Sequence, residues 1–386
     1  MNGKTLNKKR ILYILPKKDY FSQGDRGRVS HALGVAEGLS QIDHAVTVLS
    51  GEGITGYARR VPKSVRLECV PKKRFLWNFF LFLNVRERIN KGEIDILIVR
   101  YAVSKLFWCY MINLIAKNKG ITTILEVNSC LFHINSIPRV IRNTWGILEA
   151  RLAYLFDLTY VVSDALAKSI KKINKNVKLV VVPNGASTIN DGALRLRNEA
   201  SGVPRFIYMG SLHNYYNYEV VTQGFKSLQE SGVSCELHFF GSGIMQKHLK
   251  NTCKYSDKIY FWGKYIREDI FQQLNKQTDI LILPPKHQWD VALSGGLSTK
   301  LFEYMSLGLP VVAPKMSEVT AIFSSVNSMR LFDVNDIDSF ISVCTELCSS
   351  LTLRQNLGHD LRQLFFEEYT WKIRMTQLMQ PLDEQN

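Results

Sequence analysis

Short apolar runs recur along this chain with amphipathic segments between them. In the first half they fall at Arg10–Leu15, Ala45–Leu49, Ile94–Val99, Thr122–Val127, Tyr160–Ser163 and Leu179–Val182. Each is short enough for a strand, and the intervening segments, such as Val29–Leu39, carry helical periodicity. The alternation predicts a doubly wound parallel sheet covered by helices on both faces. The pattern then starts again, with predicted strands at Arg205–Gly210, Glu236–Gly243, Lys258–Phe261, Asp279–Leu283 and Pro310–Ala313. Two consecutive α/β sets imply two Rossmann-like domains, and the polar stretch Ser187–Pro204 is the natural linker. The segment Gln355–Met379, which contains Tyr369-Thr370-Trp371, is predicted to be helical.

The densest chemistry lies between Ser294 and Ala313. Small residues, Ser294-Gly295-Gly296-Leu297-Ser298-Thr299, lead into Lys300-Leu301-Phe302-Glu303-Tyr304-Met305. Gly308-Leu309-Pro310 ends the helix, and Val311-Val312-Ala313 is a buried strand. Backbone N–H groups of such a loop can approach a phosphate closely, and the helix dipole favours negative charge there. Lys300 adds a full positive charge. Glu303, about one turn further on, can accept hydrogen bonds from a sugar diol. The run is not a GxxxxGK[ST] phosphate loop, because Thr299 precedes the lysine and Leu301 follows it.

This run resembles the donor-site segment of retaining glycosyltransferases of family 4 (glycosyl transferases group 1), which have the GT-B fold. There, small residues precede Lys-x-Phe-Glu-Tyr-Met and Gly-x-Pro-Val-Val. The resemblance spans about Arg10 to Trp371 and is densest at Leu283–Pro314. It implies two Rossmann-like doubly wound domains facing across a cleft, an acceptor-binding domain at 1–190, a donor-binding domain at 200–365, and a final helix, 366–386, crossing back to the first domain. Glu303 falls on the second acid of the family's Glu-x7-Glu signature, which binds the nucleotide's ribose. The first acid falls on Gly295 and is missing here. The resemblance makes Gly210, Ser211, Lys264, Gly296, Leu297, Ser298, Thr299, Lys300 and Glu303 the donor-site candidates. Relatives often carry a basic residue shortly after the Gly210-Ser211 loop. Here His213-Asn214-Tyr215-Tyr216-Asn217 follows, so Lys300, Lys264 or loop amides must substitute.

Other candidates lie at predicted strand ends in the first domain. Gly24 and Gly27 occupy the first strand-to-helix loop, where glycine lets backbone approach a ligand. His31 is expected to be a core or cap residue. Arg100 and Glu126-Val127-Asn128 end two adjacent strands. A carboxylate there needs a partner, so Glu126 either pairs with Arg100 or serves the acceptor with Arg100 and Asn128. Pro183-Asn184-Gly185 marks a turn at the domain boundary. Trp262 is expected in the core, with the lining of the base pocket as the alternative.

Charge changes the picture further. The net charge is +15. Residues 1–190 hold 30 Lys and Arg against 13 Asp and Glu, whereas the remainder holds 19 against 21. The first domain therefore carries the whole excess and should attract phosphates or an anionic membrane surface. Aromatic residues interleave with basic ones at Lys72–Leu83 and Ser104–Tyr110, which fits either core helices or shallow membrane insertion. No apolar run is long enough to cross a bilayer, and no signal-type segment opens the chain, so a cytoplasmic protein, peripheral on the inner membrane face, is expected. The seven scattered cysteines indicate free thiols in a reducing compartment.

The combined expectation is a glycosyltransferase moving a sugar from a nucleotide-sugar donor to a glycan or lipid-linked acceptor, with retention. Neither metal, cofactor nor nucleic acid is expected. An epimerase of the same fold, or a non-catalytic subunit, are the alternatives. Base, sugar, acceptor and oligomeric state are not encoded legibly.

Overall fold

The computed structural model describes residues 8–21, 27–71, 76–129, 138–189, 202–286, 297–323 and 328–384. It divides into two compact units. The first comprises Met1–Ala186, Val291–Thr299 and Tyr369–Asn386, and the second comprises Ser187–Asp290 and Lys300–Glu368.

The first unit is built on β1 (Arg10–Ile14), β2 (Ala45–Ser50), β3 (Val65–Cys69), β4 (Ile96–Arg100), β5 (Thr122–Val127), β6 (Leu158–Val161) and β7 (Leu179–Val181). Its helices are α1 (Gly27–Gln41), α2 (Trp77–Asn90), α3 (Leu106–Lys117), α4 (Arg139–Leu155) and α5 (Asp164–Ile173). The sheet runs β3-β2-β1-β4-β5-β6-β7 with every pairing parallel. Strand alternation sends Leu12 and Ile14 into one core with α2 and α3, and Ile11 and Tyr13 into the other with α1. The order reverses between β1 and β4, which makes their carboxyl ends the natural ligand crevice.

The second unit carries β8 (Arg205–Met209), β9 (Glu236–Phe240), β10 (Ile259–Gly263), β11 (Asp279–Ile282), β12 (Val311–Pro314) and β13 (Arg330–Phe332). Its parallel sheet runs β10-β9-β8-β11-β12-β13, with the reversal between β8 and β11. The helices are α6 (Tyr218–Glu230), α7 (Gln246–Thr252), α8 (Arg267–Phe271), α9 (Thr299–Leu307), α10 (Ser317–Phe323), α11 (Ile337–Ser349) and α12 (Leu351–Leu364).

The chain's last helix, α13 (Trp371–Asp383), packs on α1 in the first unit. Gly34 and Gly38 make room for it: a Cβ on Gly34 would stand 1.9 Å from the Trp371 indole nitrogen. The expected single helix over Gln355–Met379 is two. The first runs out through a π turn at Phe365–Tyr369, and Thr370 caps the second by accepting from the Ile373 amide. Strands β3 and β13, not anticipated from the sequence, are the edge strands at one side of each sheet.

Candidate functional site

In the second unit the Lys300 motif is assembled as a local device. Helix α9 buries Leu301, Phe302, Tyr304, Met305 and Leu307 and leaves Lys300 and Glu303 half-buried. Their three-residue spacing puts them on one face. Tyr304 fixes the helix against β8: its hydroxyl accepts from the Met209 amide at 2.9 Å and donates to the Met209 carbonyl at 3.2 Å.

That anchoring brings the Lys300 ammonium to the carboxyl end of β8. A Cβ on Gly210 would lie 2.1 Å from Lys300 Cε and 2.5 Å from Nζ. Lys300 Nζ donates to the hydroxyls of Tyr216 at 2.8 Å and Tyr208 at 3.3 Å, above both rings at 4.4 Å and 5.2 Å. The loop after β8 lacks a cation of its own, and α9 supplies one to it. Gly241 completes the strand ends. With φ of +148° it passes so close to β8 that a Cβ would meet the Gly210 carbonyl oxygen at 1.7 Å.

Glu303 has a partner that sequence reasoning missed. Nη1 of Arg267, at the start of α8, donates to Glu303 Oε1. The two side chains are 21% and 20% exposed, and the guanidinium is braced 5.6 Å above the Phe271 ring. No motif announces Arg267; only tertiary structure brings together residues 36 positions apart. Lys264 and Ser211 are exposed. Trp262, expected in the core, is 57% exposed on edge strand β10, stacked on Phe240 at 5.7 Å with its Nε1 donating to His238 Nδ1. The strand's pleat turns it away from the face that buries Phe261.

In the first unit Arg100 and Glu126 are paired. They are cross-strand partners in the β4–β5 register, and Arg100 Nη1 lies 2.8 Å from Glu126 Oε1. Glu126 is 0% exposed. His31 Nε2 stands 2.9 Å from Oε1, and the Tyr13 hydroxyl donates to Oε2. Burial alone would push the carboxyl up; Arg100, then His31 and Tyr13, overcome it and hold the pKa down at about 2. Burial likewise pushes the Tyr13 and Tyr160 phenols well up.

His31 Nδ1 lies 2.7 Å from Asn184 Oδ1, and Asn184 Nδ2 donates to the Leu297 carbonyl at 2.7 Å. Val291–Thr299 groups with the first unit, and a Cβ on Gly27 would stand 3.0 Å from Thr299 Oγ1. Ser298 is half-buried. Asn128 Oδ1 is buried with no hydrogen-bond partner among the described residues. Gly24 and Gly296 lie outside the described residues.

Around this hub the field is positive. The guanidinium groups of Arg28 and Arg100 both lie over the Tyr20 ring, at 5.4 Å and 5.5 Å. Burial, followed by the charge of Arg28, lowers the Lys17 pKa against the opposing pull of Asp19, and Arg100 and Lys105 lower it further. Lys17 follows β1, Arg100 ends β4, Lys105 follows β4 and Arg28 lies at the start of α1, all beside the sheet's switch point.

The exposed apolar side chains of this unit are concentrated on three neighbouring helices. Leu76 and α2 contribute Phe79 and Leu83; α3 contributes Phe107, Tyr110 and Leu114; α4 contributes Val140, Ile141, Ile147, Leu148, Tyr154 and Leu155. Other apolar residues of the same runs are structural: Trp77 and Leu81 are buried, and Phe82 packs on the core and on Trp108. Among the described residues, no helix is long and apolar enough to cross a membrane.

Comparison with known proteins gives the architecture its context. Residues 26–189 match the family model Glycosyltransferase Family 4, and residues 203–350 match Glycosyl transferases group 1. No curated protein matches the sequence. Among solved structures, sucrose-phosphate synthase from Thermosynechococcus elongatus shares 12% identity at a TM-score of 0.70, over 98% of this chain and 99% of that one. HepE from Anabaena, solved with UDP, shares 12% identity at a TM-score of 0.69, over 97% and 100%. WaaG, a glycosyltransferase involved in lipopolysaccharide biosynthesis, shares 13% identity at a TM-score of 0.61, over 96% and 98%. The fold is GT-B, every strand but β1 lies within one of the two glycosyltransferase matches, and the chain is on these grounds a glycosyltransferase of the GT-B fold.

Proposed function

We propose that the second unit binds a nucleotide-sugar and that its sugar passes, with retention of configuration, to a glycan or lipid-linked acceptor recognised by the first unit. The observation that carries this reading is the Lys300 ammonium held over Gly210 at the end of β8, with Glu303 on the same helix face. A diphosphate at that strand end meets one full positive charge and the amino end of α9; a ribose diol meets one carboxylate. Stabilising the leaving diphosphate and positioning the reactants are then the main contributions to rate. Solved complexes of HepE with UDP and with UDP-glucose support a donor of this class.

For the acceptor, the cations around Tyr20 favour an anionic group such as a phosphate on a lipid carrier. The exposed apolar residues on α2, α3 and α4, in a half-chain with 30 basic and 13 acidic residues, favour docking on the anionic inner face of a membrane.

Titration calorimetry with ADP, GDP, UDP and CDP tests the donor site. Lys300→Ala and Glu303→Gln should each weaken the tightest binder by roughly 1.5–3 kcal/mol, about 10- to 150-fold, without unfolding the protein. Unchanged affinity in both variants overturns the assignment. Incubation with the matching nucleotide-sugars and a polyprenyl-diphosphate sugar then separates transfer from epimerisation and from no turnover.

A further inference from the structure

Resting on the donor reading above, we infer that Arg267 is the positioning residue of Glu303 and sets the selectivity of the site for ribose over 2′-deoxyribose. A carboxylate offers about four lone-pair sites on two oxygens. Arg267 engages Oε1 only, and Glu303 Oε2 makes no hydrogen bond among the described residues while remaining open to solvent. One oxygen is thus tethered and the other is left for a diol.

The tether itself is held. Arg267 opens α8 directly after the β10 loop, and its guanidinium rests on Phe271, a buried ring one turn further along the same helix. The chain to Glu303 therefore runs from the second unit's sheet, through β10 and α8, to a charge-assisted bond on one defined oxygen. Free Glu303 would sample several rotamers, and a 2′-hydroxyl would have to select among them. With Oε1 fixed, the carboxylate plane is set before the nucleotide arrives. The 2′-hydroxyl can donate to Oε2 and the 3′-hydroxyl to the second lone pair of Oε1. A 2′-deoxy nucleotide leaves Oε2 without its donor, so the cost of the missing hydroxyl falls on a group that cannot turn to another partner.

A purely structural salt bridge would move stability and all affinities together. A positioning residue moves the ratio of ribo to deoxyribo affinity. The experiment takes whichever of ADP, GDP, UDP and CDP binds the full-length protein tightest and measures it by calorimetry beside its 2′-deoxy form. The wild type should prefer the ribonucleotide by about tenfold or more. Glu303→Gln should bring the ratio close to one. Arg267→Ala should do the same, Arg267→Lys should restore part of the ratio, and Arg267→Ala with Glu303→Gln should be no worse than Glu303→Gln alone. Lys300→Ala should weaken both nucleotides equally and keep the ratio.

If Arg267→Ala keeps the wild-type ratio while Glu303→Gln loses it, the positioning role falls and the ribose role of Glu303 stands. Equal weakening of both nucleotides by Arg267→Ala, with the ratio intact, likewise overturns the positioning role. A ratio unaffected by Glu303→Gln overturns the donor reading on which this rests. Arg267→Lys keeps the charge and the stem, so the ratio is measurable even where Arg267→Ala lowers stability.

Discussion

Replacing Glu126 by Gln removes one charge from a buried ion pair in the first unit, and the structure sets the size of the consequence. Glu126 is fully buried, and its pKa is held at about 2 against an ordinary 4.5. That gap corresponds to roughly 3 kcal/mol of folding stability at neutral pH. The sign follows from a depressed carboxyl: the contribution is complete above the unfolded-state value near 4.5 and is lost as pH falls towards 2. In Glu126→Gln that contribution vanishes, and Arg100, only 12% exposed, is left without its counter-charge. Breaking one partner of a buried pair costs about 3–5 kcal/mol.

The assay is native-state hydrogen exchange of the β1, β4 and β5 amides, which reports on the first unit alone. Opening free energies should fall by about 3–5 kcal/mol in Glu126→Gln at pH 7. The difference between wild type and variant should shrink as pH drops from 4.5 towards 2. Adding Arg100→Met to Glu126→Gln should restore at least about 1 kcal/mol, since the stranded guanidinium is then gone. A loss below about 1 kcal/mol, or a difference independent of pH across that window, would refute the reasoning.

Two further outcomes follow from packing and exposure. Phe79→Ser with Phe107→Ser should reduce flotation with phosphatidylglycerol vesicles at low salt while leaving the melting temperature nearly unchanged, because both rings are exposed; Phe82→Ser should instead destabilise the fold, because that ring packs on the core. A wild-type protein that ignores such vesicles at low salt returns the acceptor to solution. Gly34→Ala places a Cβ 1.9 Å from the Trp371 indole, so it should cost about 1–3 kcal/mol and expose the last helix to limited proteolysis; an unchanged melting temperature would contradict that packing.

The strand-and-helix alternation and the two-set organisation were legible because buried parallel strands are continuous apolar runs. Two strands escaped for the same physical reason. β3 places Arg66 and Glu68 among its five residues, and β13 has only three residues, so neither makes such a run. The Lys300 segment was legible because its chemistry is contiguous. The groups that hold it are not: Tyr208 and Tyr216 meet Lys300 across 92 and 84 positions. His31, expected to be a core or cap residue, is buried, yet its bond to Asn184 spans 153 positions and has no local signature. Trp262 lies outside the expected core because a large aromatic on a strand says nothing about which face of the pleat is covered.

The contrast between the acids explains why a strand-end carboxylate is poor evidence of a site by itself. Arg100–Glu126 and Arg205–Asp279 are both cross-strand pairs set by sheet register, and both acids are wholly buried. Asp279 binds Arg205 through both oxygens, at 2.7 Å and 2.8 Å, and also accepts from the Asn275 amide. Glu126 accepts from Tyr13 through Oε2 and faces Arg100 and His31 through Oε1, so the charge of each of these two acids is matched by a cation across the sheet. Glu303 differs in each respect that matters to a ligand. It sits on a helix rather than in a ladder, is one-fifth exposed, and has one oxygen held and one open. Removing Asp279 should therefore lower stability without a selective effect on ribose, whereas removing Glu303 should do the reverse. The acid that keeps an oxygen within reach of solvent is the one with capacity left for a substrate.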